Sequence, residues 1–333
     1  KPFWRCCVLP HACGDGHHVL TLCLCKPDNF VDLRLKAVGS VQIGDGGRVM
    51  RDEVVMARQA WAALADSSAT LALTLAARAV APTRLVDLNW HDPLAQRIAQ
   101  ACPLPLNELT QDDSLVRGIV LRSVLFDQCV LAAGLRAGSC VVTLGAGLCT
   151  RRSRLRAKLD EKVRWVNVDL PPVAAVRELT ISVEEGGDVW AGSVLDAQAW
   201  LTAVNLVEGA PHLLLLEGVL PYLSADEIRG LLDAIGAYFT RHHLFAWVVA
   251  DFLHPAMAAP SAQGGLHLPV LSGFADAQAL IAGRAEWSIQ SQRHPFAEFS
   301  AGHAKFAADF VLNHGLPPYT VACLTVGELV ESI

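Results

Sequence analysis

No uninterrupted apolar stretch in the 333-residue chain is long enough to cross a bilayer; the longest candidates are HLLLLEGVL and LFAWVVA. A membrane partner is therefore not expected. Nor is there an excess of basic residues. Lys and Arg number 27 against 33 Asp and Glu, a formal charge of −6, so a broad phosphate-binding surface for nucleic acid is not expected either. No internal repeat is visible, and no secretory leader is legible. The ten cysteines sit in a chain far longer than the small secreted domains that depend on disulfides. Reduced thiols and a cytoplasmic location are the expectation. Cys6, Cys7, Cys13, Cys23 and Cys25, with His11, His17 and His18, have the ligand chemistry of zinc. Their spacing fits no standard knuckle, and no metal is expected.

What the chain does have is apolar content, 52% of residues, ample for a large core. Three textures divide it. Residues 1–50 hold half of the cysteines and the cluster IGDGG and are left unassigned. Residues 51–135 are rich in Ala, Leu and Arg with little alternation, which predicts a helical cap. Within it, Asp92 before Pro93 reads as an N-cap and first helical residue, because the carboxylate accepts orphan amide protons and proline loses nothing there. From 136 to 333, short apolar runs (CVVTL, VRWVNV, HLLLL, LFAWVV) alternate with helical stretches, the pattern of a buried parallel sheet. The box Ser224-Ala225-Asp226-Glu227 marks a helix start just past one strand. The Pro- and Gly-containing piece from His254 to about Gly273 reads as an excursion between the later strands, a candidate lining for an acceptor pocket.

The chemistry gathers where strands end. After CVVTL comes Gly145-Ala146-Gly147, a turn whose missing side chains let backbone amides approach a ligand. The next strand ends in Asp169, where a carboxylate can accept two ribose hydroxyls. NAD and S-adenosylmethionine both present such a ribose. HLLLL ends in Glu217, a carboxylate that needs a partner if buried, and a cationic ligand would be one. Leu115, Ile119, Arg122 and Phe126 share a helical face. The inward guanidinium of Arg122 seeks an anion, whether Glu217 or the carboxylate of a methionine-like ligand.

Four blocks in this order, LAARAVAP with WHDPLAQRIA, IVLRSVLFDQCV, VVTLGAGLCTRRSRL with VRWVNVDLPPVAAVREL, and LLLLEGVLPYLSADEI, resemble the leucine carboxyl methyltransferase (Ppm) family of S-adenosylmethionine-dependent O-methyltransferases. The resemblance implies an α/β fold: a class I, Rossmann-like, doubly wound, mostly parallel seven-stranded sheet with an N-terminal helical cap. It implies S-adenosyl-L-methionine as cofactor. Arg122, with Arg78, would hold the methionine carboxylate, Gly145 and Gly147 would pack on that end, Asp169 would take the ribose, and Glu217 would sit near the amino group. Two departures stand out: Cys149 where the family has Asp in GAGxDTR, and Ser193 where it has an adenine-contacting Asp. The second leaves the Val194 backbone and Asp196 as substitutes.

The implied reaction is in-line methyl transfer to a carboxylate or hydroxyl of a small metabolite, or to a protein C-terminal carboxylate. A carboxylate needs no base; a hydroxyl does, with His254 and Tyr222 as candidates. A cofactor-binding module without turnover and a dehydrogenase are the competing readings.

Overall fold

The computed structural model describes residues 5–12, 18–26, 29–30, 68–102, 104–258 and 270–328. The chain forms two units, Lys1–Val49 and Met50–Ile333. In the first, β1 (Arg5–Ala12), β2 (His18–Lys26) and β3 (Asn29–Phe30) make an antiparallel sheet in that order. Cys13, His17 and the IGDGG cluster lie outside the described residues, as does the helical reading of 53–67. Among the described residues, no group of three or more His, Cys, Asp and Glu is placed to hold a metal ion. No helix among them is long and apolar enough to cross a membrane.

The second unit is built on a seven-stranded sheet. Its strands are β4 (Cys140–Leu144), β5 (Arg164–Asp169), β6 (Asp188–Ala191), β7 (His212–Leu216), β8 (Phe245–Leu253), β9 (Trp287–Arg293) and β10 (Tyr319–Gly327). They lie in the order β6-β5-β4-β7-β8-β10-β9. The first five run parallel, and β10 is antiparallel to both β8 and β9. The four apolar runs read from the sequence are β4, β5, β7 and β8. The other three strands escape that reading: Asp188–Ala191 is only four residues long and exposed at its ends, and Trp287–Arg293 is polar and mostly open on its outer side. Tyr319–Gly327 interrupts its apolar positions with threonines and a cysteine.

Strand alternation decides which helix covers which face. Val141, Leu213, Leu215 and Val249 point to one side, where Phe126 and Val130 of α3 (Asp113–Ala132) meet them. Val142, Leu214, Leu216 and Val248 point to the other, against Trp200 and Leu201 of α6 (Ala197–Val204) and Ile228, Leu231 and Ile235 of α7 (Ala225–Arg241). The expected capping box is present at Ser224 and Glu227. Ahead of the sheet, α1 (Ser68–Arg84) packs on α3 through Leu73, Ala77, Val116 and Val120, and on α2 (Pro93–Ala101) through Leu75, Leu94 and Ile98. Two further helices leave the carboxyl ends of strands: α4 (Arg151–Leu155) after the glycine turn and α5 (Pro171–Thr180) after β5.

The parallel register aligns the carboxyl ends of the strands. Leu144 pairs with Val168, Thr143 with Leu215, and Leu216 with Ala250. Gly145, Asp169, Glu217 and Asp251 therefore fall in one row along this edge. Chain order reverses at β4, which has β5 on one side and β7 on the other, and a crevice opens at such a switch point.

Candidate active site

A cavity of about 230 Å³ lies over this edge, floored by Thr143, Gly145 to Cys149 and Glu217, and walled by α1 and α3. Arg78, Arg122, Gly145, Gly147, Glu217 and Tyr222 of the residues read from the sequence all line it. The glycines are needed here. Gly145 has φ +61° and Gly147 φ +49°, and a Cβ on Gly147 would stand 2.6 Å from the Leu71 side chain. Gly218, also left-handed at φ +65°, lets Arg122 pass: a Cβ there would come within 3.1 Å of its Nη1.

The backbone amides of the turn do not face a ligand as expected. Gly145 N–H and Ala146 N–H both donate to the Val168 carbonyl, at 2.8 and 3.2 Å. Gly147 N–H donates to Asp169 Oδ2 at 2.6 Å, and Asp169 Oδ1 accepts from the Leu170 amide at 2.7 Å. Asp169 thus binds the turn after β4 to the end of β5. Burial raises its pKa, although the two amides pull it down. Fully buried Arg177 of α5 secures the turn from beneath, donating to the carbonyls of Gly147 and Cys149 at 3.0 and 2.9 Å. No carboxylate among the described residues pairs with it directly, and burial pushes its pKa down to about 10.

Around the cavity four guanidiniums alternate with four carboxylates. Arg78 meets Asp92 at 3.3 Å, and Asp92 meets Arg154 at 2.7 Å. Arg154 meets Asp127 at 3.0 Å, and Asp127 meets Arg151 at 2.6 Å. Arg151 holds Glu217 Oε2 at 2.6 Å, and Arg122 holds Glu217 Oε1 at 3.1 Å. The chain ends where Arg122 reaches Asp251 at 3.5 Å, a carboxylate that also accepts from the Gly218 amide and the Tyr319 hydroxyl. Asp92 does cap α2 at Ala95, as expected, but its second oxygen belongs to this network.

The series is not uniformly buried, and that decides which members a ligand can meet. Arg151 and Asp92 are closed off, with side chains 1% and 0% exposed, whereas Arg122 and Glu217 keep 19% and 15%. Burial opposes ionisation of Glu217, but Arg151 and Arg122 overcome it and bring its pKa to about 2. Asp251 shifts the other way: burial raises it, only partly offset by Arg122.

Glu217 is therefore not isolated, as its position after five mostly apolar residues suggested. Protein guanidiniums already partner it, so its burial does not by itself require a cationic ligand. Arg122 resolves the alternative left open in the same way, pairing with Glu217 while keeping an open edge on the cavity. Asp251, Arg151, Asp127 and Tyr319 escaped the sequence reading. Asp251 was findable by the signal that drew attention to Glu217, an acid closing an apolar strand. Asp127 and Tyr319 had no such signal, since each looks like an ordinary residue on a packed element.

Other expected positions fall elsewhere. Ser193, Val194 and Asp196 follow β6 and do not line the cavity. Val194 presents its carbonyl to the Trp200 indole at 3.0 Å, and the Ser193 hydroxyl accepts from the Leu195 amide at 3.2 Å. Asp196 is exposed. His254 caps the short turn Pro255–Met257 through the Ala256 amide and stacks near Phe310 and His314, away from the cavity lining. Tyr222 does line it, with a pKa raised by burial. Cys149 lines it too, its sulfur accepting from Arg151 Nη1 at 3.3 Å.

Residues 71–236 match the family model of leucine carboxyl methyltransferase. A protein of Mycobacteroides abscessus named “Putative S-adenosyl-L-methionine-dependent methyltransferase” is 29% identical over 181 residues, 53% of this chain and 54% of that protein. The chain thus spans about half the length of the curated relative it matches. Among solved structures, a “putative methyltransferase” from Thermobifida fusca YX aligns with TM-score 0.42 and 14% identity over 76% of this chain and 94% of that one. Human N-acetylserotonin methyltransferase, solved with SAM, aligns with TM-score 0.35 and 14% identity over 69% and 62%.

Proposed function

The chain belongs to the leucine carboxyl methyltransferase family, and from that premise we propose that it is an S-adenosylmethionine-dependent O-methyltransferase acting on a carboxylate of a small metabolite. One observation carries this reading beyond family membership. The open edge of Arg122 and the open edge of Glu217 stand side by side over the glycine turn, an anion receptor next to a cation receptor. That pair suits the carboxylate and ammonium of an amino-acid end group. Arg78 supports the anionic side, and Asp169, at the end of the neighbouring strand, has lone pairs left on both oxygens for a ribose. Ser193, Val194 and Asp196, one strand further along, are the proposed neighbours of the adenine.

S-adenosylmethionine, when bound, supplies the activated methyl group. The protein's own contribution is to bind, aim and desolvate the acceptor. Among the described residues lining the cavity there is no histidine, Glu217 is held ionised by two guanidiniums, and Tyr222 titrates higher than a free tyrosine. None is suited to take a proton from a hydroxyl at neutral pH. A carboxylate acceptor arrives already ionised and is attracted by the arginine-lined wall, which favours it over a hydroxyl. Tyr222 is then a positioning hydroxyl in the cavity wall.

The reading is tested in two steps. Thermal unfolding with S-adenosylhomocysteine at 100 times its Kd is expected to gain about 2.7 kcal/mol of stability, whereas stabilisation by NAD alone would sink the proposal. Turnover of methyl-labelled S-adenosylmethionine against a panel of acids, alcohols, phenols and short peptides then identifies the acceptor. For a carboxylate, kcat/KM is expected to stay level between about pH 6 and 8, both being well above the carboxyl pKa. A rate rising across that range would instead require a base.

A further inference from the structure

A second cavity, of about 250 Å³, lies on the α3 face of the sheet, and two thiols open onto it: Cys129 from α3 and Cys323 from β10. Both are half-buried and neither forms a disulfide. The two thiols line the same cavity, pack on the same apolar cluster and are close enough to perturb each other, although their elements are separated by most of the sheet's sequence. The register between β9 and β10 shifts just after Cys323, making Gln290 the extra residue of a bulge. Such a bulge re-aims side chains locally, and Gln290 and Arg293 of β9 line the cavity beside the thiols. Cys140 makes a useful contrast: it is fully buried in β4, and burial pushes its thiol up to about 11.

We propose that Cys129 and Cys323 are a redox-active dithiol site that takes hydrogen peroxide as oxidant and closes to a reversible disulfide. Cys129 is the attacking sulfur. The neighbouring Cys323 thiol and the guanidiniums of Arg151 and Arg293, the latter in the cavity wall, favour its thiolate, whereas proximity to Cys129 and burial keep Cys323 protonated. The Cys129 sulfur takes the terminal oxygen of the peroxide, the O–O bond breaks, and water leaves with a sulfenic acid remaining. The Cys323 sulfur then attacks the sulfenic sulfur, the S–S bond forms, and a second water carries off the oxygen. Overall two thiols lose two electrons and two protons, and one hydrogen peroxide becomes two waters. The bond would tie α3, which carries Arg122 two turns before Cys129, to β10, which carries Tyr319 onto Asp251. The proposal does not depend on the methyltransferase reading.

The test uses the full chain. Reduced protein is treated with hydrogen peroxide, remaining thiols are blocked, and tryptic peptides are mapped without reductant. Cys129 lies alone in peptide 123–136, and Cys323 alone in the C-terminal peptide 306–333, so the crosslink is distinguishable from any bond among the five cysteines before residue 50. The expected result is a joined 123–136/306–333 species lighter by two hydrogens, dominant over the free peptides and abolished by dithiothreitol. In Cys323→Ser the crosslink is expected to vanish and Cys129 to be captured as sulfenic acid by dimedone. Oxidation of the wild-type chain that leaves both peptides unlinked, or dimedone labelling that avoids Cys129 in the variant, overturns the proposal.

Discussion

Replacing Glu217 with Ala is expected to cost about 3–5 kcal/mol of stability, because breaking a buried ion pair from one side strands the other charge. Arg151 is 1% exposed and loses its 2.6 Å partner, keeping Asp127 as its one carboxylate, while Arg122 keeps Asp251 alone at 3.5 Å. At roughly 2–4 °C per kcal/mol, the fall in Tm is on the order of 10 °C, measurable by calorimetry. Glu217→Gln keeps the volume and part of the hydrogen bonding and should lose less stability. It should nevertheless lose at least about tenfold in S-adenosylhomocysteine affinity if Glu217 receives the ligand's ammonium, since a charge-assisted bond contributes about 1.5–3 kcal/mol. Unchanged affinity in a fully folded Glu217→Gln variant would reject that role and leave Glu217 a structural member of the network.

The same carboxylate has a pH signature. Its pKa is near 2 in the folded chain against an ordinary value of 4.5. A lowered folded-state pKa means stabilisation that is complete above 4.5 and is lost as pH falls through about 2. Asp169 and Asp251, both raised by burial, carry the opposite sign. Ionising them disfavours the folded state, and that cost disappears on acidification. Acid unfolding of the wild type should therefore be steeper than that of Glu217→Gln below pH 4.5.

The second large effect is expected from Asp169→Ala. Both oxygens accept backbone amides, from Gly147 and Leu170, and the side chain is nearly enclosed. Removing it leaves two orphan donors at about 1–3 kcal/mol each, and the glycine turn loses its tie to β5. Ligand binding and fold stability therefore fall together, in contrast to a residue that only touches a ribose. Asp169→Asn separates the contributions: one amide keeps an oxygen acceptor, while the other faces an NH₂ group. Isothermal titration with S-adenosylhomocysteine should find Asn weakened and Ala weaker still. Equal affinity for wild type and the Asn variant would remove Asp169 from the proposed ribose site.

How much of the molecule was legible in the chain depends on whether the signal is local. The turn at Gly145 and Gly147, the strands β4, β5, β7 and β8, the cap at Asp92 and the box at Ser224 depend on residues a few positions apart. Apolar runs and side-chain caps write such elements directly into sequence. The row of Gly145, Asp169 and Glu217 was legible too, because each follows an apolar strand and parallel strands end on one edge.

What only the tertiary structure decided is which charge meets which. Asp92 and Arg154 lie on different helices, Arg122 and Glu217 on a helix and a strand end, and Cys129 and Cys323 on elements that flank nearly the whole sheet. An ion pair carries no sequence period, so the sequence offered Glu217 to Arg122 only as one of two partners and left the other guanidiniums and carboxylates unmatched until the sheet was wound. By itself the sequence determined that an acid would stand at the end of β7 and an arginine on the inward face of α3. Their contact needed the parallel register and the packing of α3 on the sheet, because those bring distant groups to 3.1 Å while leaving one edge of each open.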